Sequence, residues 1–128
     1  MAAITEFRGL IDHSDATNLM READLLLMTS HGEKGGQDTC IPAKTYEYAA
    51  SGSRILAISE KCATQRFVQD LPGCHVVGPT DKAGMIQVVE QALNDDQVFF
   101  PRIGLEKLQP FDSRNLTKHL AGLFDSVT

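Results

Sequence analysis

The sequence predicts an α/β fold, one domain in which a parallel sheet carries helices on both faces. Three observations predict it. Leu25–Met28, Arg54–Ile58 and Cys74–Val77 are short runs of apolar residues between polar flanks, as strands buried on both faces require. Segments with helix start and stop signals separate them. Strands alternating with helices imply parallel pairing through right-handed crossovers.

In chain order, Thr5–Leu10 reads as a first strand from Phe7, Leu10 and the turn signal that follows. Asp15 gives an acidic start to a helix whose apolar residues are Leu19, Met20 and Ala23. After Leu25–Met28, the span from Thr29 to Ile41 holds Gly32, Gly35 and Gly36, too much glycine for regular structure. A helix is expected from Pro42 to Ser51. Proline suits the first helical position, where its missing N–H is no loss, and Gly52 suits the left-handed residue past the end. Arg54–Ile58 and Cys74–Val77 follow as strands. Met85, Ile86, Val89 and Leu93 mark one face of a helix from Ala83 to Leu93. Asn94–Pro101 breaks the pattern, and residues 94–112 read as a less anchored stretch. Leu116, Leu120, Leu123, Phe124 and Val127 then predict a closing amphipathic helix.

Composition narrows the function. At 128 residues the chain is about one domain long. A net charge of −5 argues against a general nucleic-acid binder, which needs clustered positive charge. No apolar run approaches the roughly 20 residues that span a bilayer, and no basic-then-apolar leader opens the chain. A cytoplasmic location, including the cytosolic face of a membrane, is therefore expected. Cys40, Cys62 and Cys74 are odd in number and scattered, which suits neither a disulfide framework nor a zinc knuckle. Cys40 reads as a small semi-buried residue. His13, His31, His75 and His119 show no paired metal spacing, and His13 reads as a surface loop residue.

The chemistry concentrates between Asp38 and Ser59. Ile41, before Pro42, has no side chain able to cap a helix, so the first-turn amides are orphan donors beside Lys44. A lysine there opposes the helix dipole unless an anion compensates it, and such a helix start suits a phosphate. Glu47, one turn on, is placed to accept from a pair of hydroxyls. Phosphate plus diol is the signature of a nucleotide. The same two residues also read as an ordinary exposed ion pair at i, i+3. The Gly32, Gly35, Gly36 loop reads equally as a phosphate or sugar cradle of backbone amides and as a surface turn. It matches neither the P-loop nor the dinucleotide fingerprint. Tyr46 and Tyr48 offer a stacking partner for a base, with burial of at least one against the sheet expected. Ser59 offers a hydroxyl to a ligand or a cap to the next helix.

The pattern P-x-K-x-x-E-Y-x-A-x-G-x-x-I-L-A, formed by Pro42, Lys44, Glu47, Tyr48, Ala50, Gly52, Ile55, Leu56 and Ala57, resembles a known family. It is similar to the donor-binding half of the two-domain, Rossmann-like (GT-B) glycosyltransferases, in the branch like family 4. Gly9-Leu10-Ile11 followed by Leu19–Leu27 looks like the family's strand, helix and "ADLLL" strand; a helix near Thr64–Asp70, a strand at His75–Gly78 and a helix at Lys82–Leu93 continue the likeness, and Phe111–Val127 looks like its C-terminal helix. Nearly the whole chain is covered. The resemblance implies that residues 1–128 form the nucleotide-sugar-binding, C-terminal domain, with the N-terminal acceptor-binding half absent. It implies a retaining transfer of a sugar from a nucleoside diphosphate donor, with no metal and no further cofactor, and Glu47 on the donor's ribose. Lys44, Gly35, Gly36, Thr39 and Tyr48 complete the expected donor site. Many members carry a second glutamate eight residues before the ribose glutamate, and that position here is Thr39, beside Asp38. The isolated chain is expected to bind weakly and to be inactive. The rival readings are a non-catalytic interaction or receiver-like module, and a subunit of a split glycosyltransferase. A receiver needs a phosphorylatable aspartate at the end of a central strand, where Leu25–Met28 runs into Thr29-Ser30.

Overall fold

A computed structural model describes residues 4–30, 40–94 and 102–127. In chain order the elements are α1 (His13–Glu22), β1 (Leu25–Ser30), α2 (Ala43–Ser51), β2 (Arg54–Ser59), α3 (Ala63–Val68), β3 (Cys74–Val77), α4 (Lys82–Leu93), a 3₁₀ segment (Leu105–Phe111) and α5 (Ser113–Val127). The three strands form one parallel sheet in the order β1-β2-β3. β2 pairs with β1 from Leu25↔Arg54 to Ser30↔Ser59, and with β3 from Ile55↔Cys74 to Ile58↔Val77. This is a small Rossmann-like α/β unit, with α2 as the crossover from β1 to β2.

Alternation of side chains along each strand divides the core between the two faces. Leu26, Met28, Ile55, Ala57 and Cys74 point to one face, where Ala49 of α2, Val68 of α3 and Ile103 pack on them. Leu56 and Val77 point to the other, where Val88 and Ala92 of α4 cover them. β2, central in the sheet, is buried along nearly its whole length. On β1 the alternation shows instead: Leu26 and Met28 are buried while Leu27 is 57% exposed.

Four expectations are corrected. Thr5–Leu10 forms no strand; Phe7 and Leu10 are exposed and Gly9 sits at φ 65°, a turn conformation. Phe7 and Leu10 are an odd number of residues apart, so a strand would send them to opposite faces and bury neither row. Pro42 caps α2 rather than opening it, one residue ahead of the expected place. α4 has the expected bounds but buries Val88 and Ala92, with Met85 beside them. Ile86, Val89 and Leu93 stay exposed. Both stripes follow helical spacing, because the helix is apolar over most of its circumference. Finally, of the stretch 94–112 expected to be loosely anchored, residues 95–101 lie outside the described residues and the part from Arg102 on is pinned at Ile103, which is 4% exposed. Its N–H donates to the Gly52 carbonyl at 3.1 Å, and Arg102 Nη1 donates to Ser53 Oγ at 3.3 Å.

Candidate functional site

The helix α2 starts from the carboxyl edge of the sheet, since it carries the chain back from the end of β1 to the start of β2. In open α/β sheets that edge is where ligands bind. The helix presents three stripes. Thr45 and Ala49 are buried against the sheet, and half-buried Tyr48 packs on the same core. Tyr46 turns sideways into an aromatic cluster, its ring centroid 4.9 Å from Phe67 and 5.8 Å from Phe111. Lys44 and Glu47 lie one turn apart on the exposed side.

Three helices begin at this edge, and two of them are capped by side chains. Asp81 Oδ1 accepts from Gly84 N at 2.9 Å at the start of α4, and Cys62 Sγ accepts from Gln65 N at 3.4 Å at the start of α3. Among the described residues no side chain caps α2, and a turn-closing bond runs there from Thr45 N to the Pro42 carbonyl at 2.9 Å. Among the described residues, then, no side chain meets the first-turn amides expected to be orphaned, and Thr45 N is satisfied by backbone. No ion pair joins Lys44 to Glu47, so the two are not neutralising each other. Gly35, Gly36 and Thr39, with Gly32 and Asp38, lie outside the described residues.

A second group of side chains occupies the same edge, and sequence reasoning missed it. Ser30 and Ser59 end β1 and β2 in register, and the Cys62 thiol sits between them, 3.4 Å from Ser30 Oγ and 3.3 Å from Ser59 Oγ. Ser59 Oγ also donates to the Glu60 carbonyl at 2.8 Å, so it is buried and engaged rather than offered to a ligand. Burial pushes the Cys62 thiol up. The Ser30 and Ser59 hydroxyls and the amides of Gln65 and Thr64 outweigh that, and the net shift is downward. Burial alone pushes Cys74 up to about 12. Cys40, expected to be semi-buried, is exposed, and His13 lies exposed at the start of α1.

A cleft of about 940 Å³ opens on the other flank of α2, lined by Tyr46, Ala50, Phe111, Arg114 and Lys118 among others. Lys44 and Glu47 take no part in it. Of the aromatic pair, Tyr46 thus faces this cleft and Tyr48 the core, and neither shares the exposed stripe of Lys44 and Glu47. Among the described residues no cluster of three His, Cys, Asp or Glu side chains is arranged to hold a metal ion. No helix among them is long and apolar enough to cross a membrane.

No protein-family model, curated protein or solved structure matches the chain.

Proposed function

We propose that this chain binds a nucleoside diphosphate sugar and serves as the donor-binding half of a retaining glycosyltransferase. One observation carries the reading: among the described residues α2 starts without a side-chain cap at the carboxyl edge of a parallel sheet, with Lys44 and Glu47 exposed, one turn apart and not paired to each other. The sequence resemblance around Pro42–Ala57 supports it independently of the geometry.

In this scheme the diphosphate lies over the start of α2, where free amides and the positive end of the helix dipole meet it. Lys44 adds a mobile point charge. Glu47 accepts hydrogen bonds from the ribose hydroxyls, which fixes the nucleotide's orientation. Gly35, Gly36 and Thr39, in the segment after β1, complete the donor site, and Tyr48 acts from the core side by holding α2 to the sheet. During transfer, charge builds on the departing diphosphate. Lys44 and the α2 amides stabilise that charge, so the protein's contribution is electrostatic rather than nucleophilic. The acceptor and its binding domain come from a separate unit, whether linked or a partner subunit, on the cytosolic side of the cell.

Titration of the purified chain with nucleosides, nucleoside diphosphates and their sugars, followed by calorimetry or amide NMR shifts, tests this. Losing a charged hydrogen-bond partner costs roughly 1.5–3 kcal/mol, or about one to two decades of affinity. Glu47→Ala is expected to lose that much for every nucleotide. Lys44→Ala is expected to weaken diphosphates while leaving nucleosides nearly unchanged. Identical titration curves for both variants and the parent refute the site and favour a non-catalytic α/β interaction module.

A further inference from the structure

The two edges of the sheet are protected unequally. β3 is four residues long and bracketed by Pro72 and Pro79, two devices that keep an edge strand from recruiting another. β1 has neither. All six of its residues, Leu25–Ser30, pair with β2 on one side, and on the other side no strand among the described residues meets it. The strand contains no proline and no charged residue. Its backbone also makes no hydrogen bond outside the sheet among the described residues. On the face covered by α4, coverage reaches β2, β3 and Leu25 of β1, while Leu27 is left 57% exposed, with Thr29 exposed beside it.

A row of amides and carbonyls left to water is a template on which another extended strand can pair. We propose that the partner is β1 of a second copy, joined antiparallel across a two-fold axis so that two three-stranded sheets become one continuous sheet. Symmetry then restricts the register. Opposed residues must share a face, so the axis passes through a residue and not between two. An axis at Leu27 places Leu27 against Leu27 of the second copy, Leu26 against Met28 and Leu25 against Thr29. Every residue on the strand is uncharged, so the arrangement brings no like charges together. The bare strip of the α4 face becomes a cross-strand leucine pair. Such an isologous contact closes on itself and yields a dimer and no longer assembly.

The inference is independent of the nucleotide site, and its test reads mass and register. Sedimentation of the purified chain over a dilution series is expected to show a concentration-dependent species of twice 14.0 kDa. Directly opposed residues in an antiparallel pair lie about 4.5–5.5 Å apart between Cα atoms, within reach of a disulfide. In a Cys40→Ser background, Leu27→Cys is therefore expected to cross-link in oxidised glutathione. Thr29→Cys, whose counterpart sits four residues away along the ladder, is expected not to. Leu27→Lys sets two ammonium groups against each other and is expected to be monomeric with an unchanged circular dichroism spectrum. A monomer at every concentration overturns the proposal, as does a dimer that survives Leu27→Lys. Equal cross-linking at positions 27 and 29 overturns it too, as does open-ended assembly.

Discussion

Gly52 joins the candidate site to the core through a single backbone angle. At φ 78° it ends α2 in the left-handed region, and an added Cβ would lie 3.5 Å from the Ile103 carbonyl oxygen. Space is therefore adequate, and the cost of Gly52→Ala is conformational, about 1–2 kcal/mol for an L-residue held left-handed. The variant is expected to melt several degrees lower while keeping its nucleotide affinity. Thermal denaturation with and without ligand checks both halves, and an unchanged midpoint would mean that the chain reverses by another route. At this scale the sequence was informative wherever the signal was local. Pro42, Lys44, Glu47 and Gly52 all stand where one helix and its ends place them, so their spacing was enough. The Cys62 group was invisible because it depends on Ser30 and Ser59 ending paired strands in register, a fact carried by no short stretch of chain.

Among the elements, β1, β2 and β3 follow the sequence closely because apolar runs between polar flanks mark them. The two misjudged elements share a cause. Thr5–Leu10 had strand-like composition but no ladder to join, and strand propensity without a pairing partner and a buried face does not make a strand. In α4 two apolar stripes competed, and only the position of the sheet decides which is buried. α5 shows the same dependence from the other side. Its stripe is as regular as expected, yet Leu116, Leu120, Leu123 and Phe124 are all more than half exposed, and among the described residues its main neighbour is the 3₁₀ segment. A helix so lightly docked belongs to the least stable part of the fold. Amide hydrogen exchange is expected to be fastest among the helices in α5. A chain ending at Asp112 is expected to keep the melting midpoint of the parent to within a few degrees. Protection in α5 comparable to that of β2 would contradict this and would point to a docking surface that covers the stripe.

The response of the whole molecule to alkali turns on its two buried thiols, which act in opposite directions. Cys62 is shifted down in the folded state, so the stability it adds is complete above the ordinary thiol value of 9.0 and is lost as pH falls through its folded value. Cys74 is shifted up to about 12 by burial at the start of β3. Below pH 9 its thiol is protonated whether the chain is folded or not, and no pH dependence arises from it. As pH rises above 9 the unfolded chain releases that proton while the folded chain keeps it. The folded state then binds more protons than the unfolded one, and stability falls, by up to about 1.4 kcal/mol per pH unit, until the folded thiol also ionises near 12. Tyrosines and lysines titrate in the same range, so the informative quantity is the difference between the parent and Cys74→Val, which keeps a strand-compatible apolar side chain and removes the thiol. Urea denaturation at successive pH values is expected to give parallel curves for the two proteins up to pH 9. Above it, the parent is expected to lose stability faster than the variant. Curves that remain parallel through the alkaline range would show that Cys74 reaches solvent, and that the sheet opens at the β3 side before the rest of the molecule unfolds.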